Sequence, residues 1–107
     1  MHKHHIVFRS QGGLDFSLNF KYLSYEDHEG PNGPHRSRIT DLKYKTELQT
    51  ELISMFEANT EYTEKQIADE LGVTKKYIAK NFKRVTNNCG LYRGEDIVRH
   101  LMGGRLY

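Results

Sequence analysis

The chain has 107 residues, enough for one domain or two very small ones. Its 36% apolar and 28% charged residues suit a folded polar protein and exclude a disordered acidic or basic tail, while a formal charge of +2 permits a nucleic-acid partner without requiring one. A single cysteine, Cys89, excludes an internal disulfide and fits a reducing cytosol, and no apolar run approaches the roughly 20 residues that span a bilayer, so a cytoplasmic protein with no membrane partner is expected.

The first element in chain order is a strand over His4–Arg9, "HHIVFR", closed by the turn signal "SQGG". Neighbours on a strand point to opposite faces, so His4 and His5 are expected to work on different sides of it. The preceding "MHKHH" has the look of an expression tag, but a lysine interrupts it, and it lacks the apolar core of a signal peptide. A second strand is read over "FKYL", Phe20–Leu23, and Ser24 is placed to cap one or two helical turns that carry His28.

The stretch "GPNGPHRSR" holds both prolines and reads as an irregular loop bearing His35, Arg36 and Arg38. From about Thr40 to Ala58 the apolar residues Leu42, Leu48, Leu52, Met55 and Phe56, with Ile39 just before, predict a long amphipathic helix whose exposed side carries Lys43, Lys45, Glu47 and Glu51.

Next, Thr63 and Gln66 make a capping-box pattern, Ile67, Ala68 and Leu71 give one apolar face, Gly72 stops that helix and Thr74 caps another. This is a helix-turn-helix pattern. Its second helix points Ile78, Phe82 and Val85 inward and carries Lys75, Lys76, Lys80, Lys83 and Arg84, a basic face suited to phosphates, while Thr74, Lys75 or Ala79 approaches base edges. "CGLYR" forms a small wing in this reading, "GEDIVRHLMGG" a terminal helix, and Cys89 is expected to be a buried or half-buried structural residue.

Asn19 and His28 lie 14 and 23 positions beyond His5 (19 − 5 and 28 − 5), with the glycine pair between His5 and Asn19. Through this order the run "HHIVFRSQGGLDFSLNFKYLSYEDH" resembles the HNH nucleases, a branch of the ββα-metal endonucleases, and the whole chain looks like the compact members carried by phages and mobile elements. The resemblance implies an α+β protein: a ββα-metal module over residues 1–36, a connecting long helix over 37–59, and a helix-turn-helix DNA-binding part over 60–107. It implies metal-dependent hydrolysis of phosphodiester bonds in double-stranded DNA, in a homing or other phage role such as packaging.

By the same resemblance His5 is the general base, His4 and His28 ligate one divalent ion, and Asn19, placed with the catalytic group, does not touch substrate but holds the His5 segment in orientation. Imidazole accepts a proton near neutral pH, which is what activating a water requires. Mg²⁺ or Mn²⁺ is the expected ion, with Zn²⁺ and Ni²⁺ as alternatives. The chain departs from the family in lacking Cys-x-x-Cys knuckles and in carrying Asn32 where some relatives place a further histidine; His35 is a candidate substitute ligand or phosphate contact. Arg9, Arg36 and Arg38 are candidate phosphate contacts around the site.

Two rival readings stand beside the nuclease. In the first, the helix-turn-helix makes a transcriptional or replication regulator and the histidines are inert. In the second, the histidines make a non-catalytic metal-binding interaction module. A monomer with one site is expected to nick, and a double-strand break needs a dimer or two successive events.

Overall fold

A computed structural model describes all residues, 1–107. The chain begins with an antiparallel pair, β1 (His2–His5) and β2 (Phe20–Leu23), in the register His2 to Leu23 and His5 to Phe20. A short helix, α1 (Tyr25–Glu29), follows at once, capped by Ser24 Oγ, which accepts a hydrogen bond from the Asp27 backbone N–H at 3.1 Å. The loop with both prolines then leads to the longest helix, α2 (Arg38–Met55), capped by Ser37.

The second half is built from two strand-then-helix units. β3 (Glu61–Thr63) runs straight into α3 (Glu64–Leu71), and β4 (Leu91–Arg93) runs straight into α5 (Gly94–Leu101). The two strands pair antiparallel, with Tyr62 opposite Tyr92. Between them α4 (Lys75–Asn81) packs on α3 across a turn at Gly72, whose φ is 69°. The expected capping box is present: Thr63 Oγ1 accepts from the Gln66 N–H at 3.1 Å and Gln66 Oε1 accepts from the Thr63 N–H at 2.8 Å. The result is an α+β fold with extents of 47 × 23 × 21 Å.

One apolar cluster runs through the whole chain. Ile6, Val7 and Phe16 join Leu48, Leu52 and Phe56 of α2 and its C-cap, and these join Ile67, Ile78, Phe82, Ile97 and Met102. Residues 1–36 contribute only three members, so this segment has no core of its own and depends on α2 for one.

Several expectations need correction. The first strand ends at His5 rather than Arg9, because the chain turns to present Ile6 and Val7 to the core and then makes a single 3₁₀ turn over Arg9–Gln11. The long helix spans Arg38–Met55 rather than 40–58. Lys45, expected on the exposed side, is 1% exposed and bonded to both oxygens of Asp41 at 2.6 and 2.7 Å, with its ammonium 4.2 Å from the Phe8 ring centre. Its position, three and seven residues before Leu48 and Leu52, belongs to the buried stripe despite its charge. Ile39, by contrast, is 83% exposed. Cys89 is exposed in the turn before β4, with φ 53°, because that turn stands outside the core. The "CGLYR" strand forms its sheet with β3, the segment ahead of α3.

Candidate metal centre and the histidine beside it

Strand alternation turns His4 inward, where it is 2% exposed. Facing it, α1 supplies His28, and the loop after α1 supplies His35. That loop folds tightly beneath the helix: a Cβ on Gly33 would stand 2.5 Å from the His28 carbonyl oxygen, so only glycine permits the approach. The neighbouring Pro34 is buried, and His35 is thereby delivered beside His28, with the two Nε2 atoms 2.9 Å apart. The His4 ring centre lies 5.1 Å from each of the other two.

One nitrogen from each of His4, His28 and His35 falls within 4.8 Å of the others. His4 Nε2 is buried without any hydrogen-bond partner, an arrangement that costs stability unless something else satisfies that atom. Burial, and then the neighbouring His35 and His28, pushes the His4 pKa down from 6.5 to about 4. Burial and His35 likewise lower that of His28. Depressed imidazoles are neutral at pH 7, which is the form that ligates metal. An unsatisfied buried nitrogen and three convergent imidazoles therefore fit a divalent cation, and His35, exposed to solvent, leaves one side of the group open.

The outer side of His28 is also engaged. Its Nδ1 is 3.0 Å from His2 Nδ1 and 3.1 Å from Glu29 Oε1, contacts that fix the ring as outer-shell partners do in metal sites. The sequence reading passed over His2, although its spacing of two from His4 puts it on the same strand face.

His5 lies across β1 from this group. Its Nε2 is 2.9 Å from Asp15 Oδ1, and its ring stands edge-on to Phe20. Arg9 donates from Nη2 to Asp15 Oδ2 at 3.0 Å. The His5 hydrogen bond, and then the Arg9 charge, hold the Asp15 carboxyl below its ordinary range. Asp15, also passed over in the sequence, is the acidic residue that the loop between His5 and Asn19 brings back to the strand.

Asn19 is fully buried and ties that loop down. Its Oδ1 accepts from the Val7 N–H at 2.8 Å, and its Nδ2 donates to the carbonyls of Val7 and Leu14 at 3.2 and 2.9 Å. Its own carbonyl accepts from the Ile6 N–H at 2.8 Å. These contacts fasten the loop to the Ile6 and Val7 backbone that follows His5. Gly13 completes the loop by passing so close to the Val7 carbonyl that a Cβ would stand 1.9 Å from the oxygen.

No protein-family model, curated protein or solved structure matches the chain.

The other residues expected to contact DNA divide by environment. Lys75, Lys76, Lys80, Lys83 and Arg84 on and after α4 are exposed and form no ion pair, as are Arg36 and Arg38 beside His35. Arg9 is exposed but paired with Asp15. Thr74 is committed to capping, its hydroxyl accepting from the Tyr77 N–H at 3.0 Å. Asn32 is exposed. No helix is long and apolar enough to cross a membrane.

Proposed function

We propose that the protein is a metal-dependent endonuclease of HNH type that hydrolyses phosphodiester bonds of double-stranded DNA. The observation that carries this reading is the division of labour between adjacent histidines. His4, whose Nε2 is buried without a partner, brings a ring nitrogen within 4.8 Å of one on each of His28 and His35, while His5 turns to a carboxylate on the other side of the same strand.

His4, His28 and His35 would hold a divalent ion, which would supply positive charge for the phosphate and leaving oxygen in hydrolysis. Three imidazole nitrogens suit Mn²⁺, Ni²⁺ or Zn²⁺ better than Mg²⁺, which prefers oxygen ligands. His5, donating its Nε2–H to Asp15 Oδ1, carries its lone pair on Nδ1, and that atom takes the proton of the attacking water. Asp15, ionised and clamped by Arg9, holds this tautomer. Asn19 keeps the segment after His5 from shifting. The exposed cations of α4 and of the loop around His35 supply affinity for the DNA backbone.

The unpaired basic face of α4 also favours a second reading, a DNA-binding regulator without catalysis. One experiment separates them. Supercoiled plasmid is incubated with the protein and Mn²⁺, Ni²⁺, Zn²⁺ or Mg²⁺, with and without chelator, alongside His5→Ala. Conversion to the open-circular form that needs both metal and His5 is the expected result. DNA binding with no cleavage under any metal rejects the nuclease and leaves the regulator. A monomer carries one such site and nicks; a stable dimer in sedimentation would reverse that expectation.

A further inference from the structure

A cleft of about 360 Å³ opens between the loop after β1 and the second helix of the helix-turn-helix. Arg9 and Asp15 form one wall, and Tyr77, Lys80 and Asn81 of α4 form the other. The two walls are joined directly, because the Asp15 backbone N–H donates to Tyr77 Oη at 2.8 Å.

The donors and acceptors of this cleft are unbalanced. Asp15 is its one carboxylate, and both oxygens are occupied, one by His5 and the other by Arg9. Arg9 spends one of its five N–H donors there, and the rest are uncommitted. The Lys80 ammonium has no acidic partner and no hydrogen bond within the chain. Tyr77 Oη uses a lone pair on Asp15, which leaves its own O–H free to donate. A cation would meet two like charges here, and an apolar group would strand at least three donors. An oxyanion satisfies all of them.

We propose that this cleft binds a phosphate of a DNA strand, gripped from both walls by Arg9 and Lys80 with the Tyr77 hydroxyl between them. The inference rests on the DNA-directed reading above and adds a place to it. Asp15 touches both His5 and the cleft, so the phosphate held here neighbours the bond presented to His5. The helix-turn-helix is then a wall of the cutting site, with α4 in fixed register to His5, rather than a separately tethered reader.

The test uses the full chain in chelator, so that it does not depend on cleavage. A fluorescein-labelled 20-base-pair duplex is titrated by anisotropy at several salt concentrations. The variants are Arg9→Ala, Lys80→Ala, the double variant, Tyr77→Phe, and Lys65→Ala on α3 as a control for general charge, each checked for folding by its thermal transition. Arg9→Ala and Lys80→Ala are each expected to weaken binding about 3- to 10-fold and to flatten the logarithmic salt dependence by at most about 0.9, the contribution of one phosphate. Because both grip one phosphate, the double variant should lose about 0.9 in slope and not twice that. Tyr77→Phe should weaken binding about 3-fold with the slope unchanged.

A double variant that loses about 1.8 in slope, twice the contribution of one phosphate, means two separate phosphates and overturns the proposal, as does a Lys80→Ala that behaves like Lys65→Ala. Failure of any duplex to bind overturns it too. Inorganic phosphate, titrated while the Tyr77 and Asn81 NMR signals are followed, should shift them only weakly and be displaced by duplex; submillimolar saturation that duplex cannot displace would make this a site for free phosphate instead. If binding depends on the cleft and no metal supports nicking, the nuclease reading fails and the cleft stands. If nicking needs metal and His5 while Arg9→Ala and Lys80→Ala bind normally, the cleft fails and the nuclease stands.

Discussion

His35 Nε2 lies 2.9 Å from His28 Nε2, seven residues away across a loop that contains both prolines of the chain. Two nitrogens on a tetrahedral ion with bonds of about 2.0–2.1 Å stand about 3.3 Å apart, so the pair needs only a few tenths of an ångström of movement to share a cation. His4 brings a ring nitrogen from β1 within 4.8 Å of a nitrogen on each, and its Nε2 is buried without a partner.

Metal binding is therefore expected to stabilise the fold. At 100 times its dissociation constant an ion that binds only the native state adds about 2.7 kcal/mol. Differential scanning calorimetry with Zn²⁺ or Mn²⁺ should show a rise in Tm that chelator reverses. His4→Ala and His28→Ala should remove the rise, and His35→Ala should weaken affinity by about 10- to 100-fold. An unchanged Tm in the native protein at millimolar metal would mean that the three rings do not form a site.

His4 makes the metal-free protein sensitive to acid. Its pKa falls from 6.5 in the unfolded chain to about 4 in the fold, so between those values the unfolded state binds more protons. The contribution is fully present above about pH 6.5, is lost as pH falls through the folded value, and levels off below about pH 4. The shift corresponds to at most about 3 kcal/mol. Urea midpoints in chelator should drop over this window in the native sequence and much less in a His4→Leu variant.

The same variant separates stability from function. His4→Leu removes a buried nitrogen without a partner, so it should hold or raise metal-free stability at pH 7 by up to about 1 kcal/mol while abolishing the effect of metal. A large loss of stability in chelator would show that His4 is a packing residue first.

Asn19→Ala should be among the most damaging single changes in the amino-terminal segment. It strands the Val7 N–H and two carbonyls in a buried position, at a cost of about 3 kcal/mol or more. Hydrogen exchange should show Val7 losing its protection ahead of α2 and α5. Retained protection would contradict the clamp.

Lys45 offers a test of the buried ion pair. Lys45→Ala leaves the Asp41 carboxylate partly buried without its partner and should cost about 3–5 kcal/mol; the double change to Leu at 41 and Met at 45 should recover most of it. Chemical denaturation of the three proteins distinguishes this from simple loss of packing, which the double variant would not restore.

Much of the frame was legible in the sequence because it rests on local rules. Strand alternation separates His4 from His5, Ser24, Thr63 and Thr74 cap the helices expected of them, and Gly72 closes α3. Those features depend on residues within a few positions of each other. What only the tertiary structure decided depends on chain folded back from far away: His35 beside His28, Asp15 beside His5, Tyr77 against the Asp15 backbone, and Lys45 buried beneath Phe8. Periodicity carries no information about which loop closes on which strand, and a charged side chain on an apolar stripe reads as exposed until its buried partner is in place.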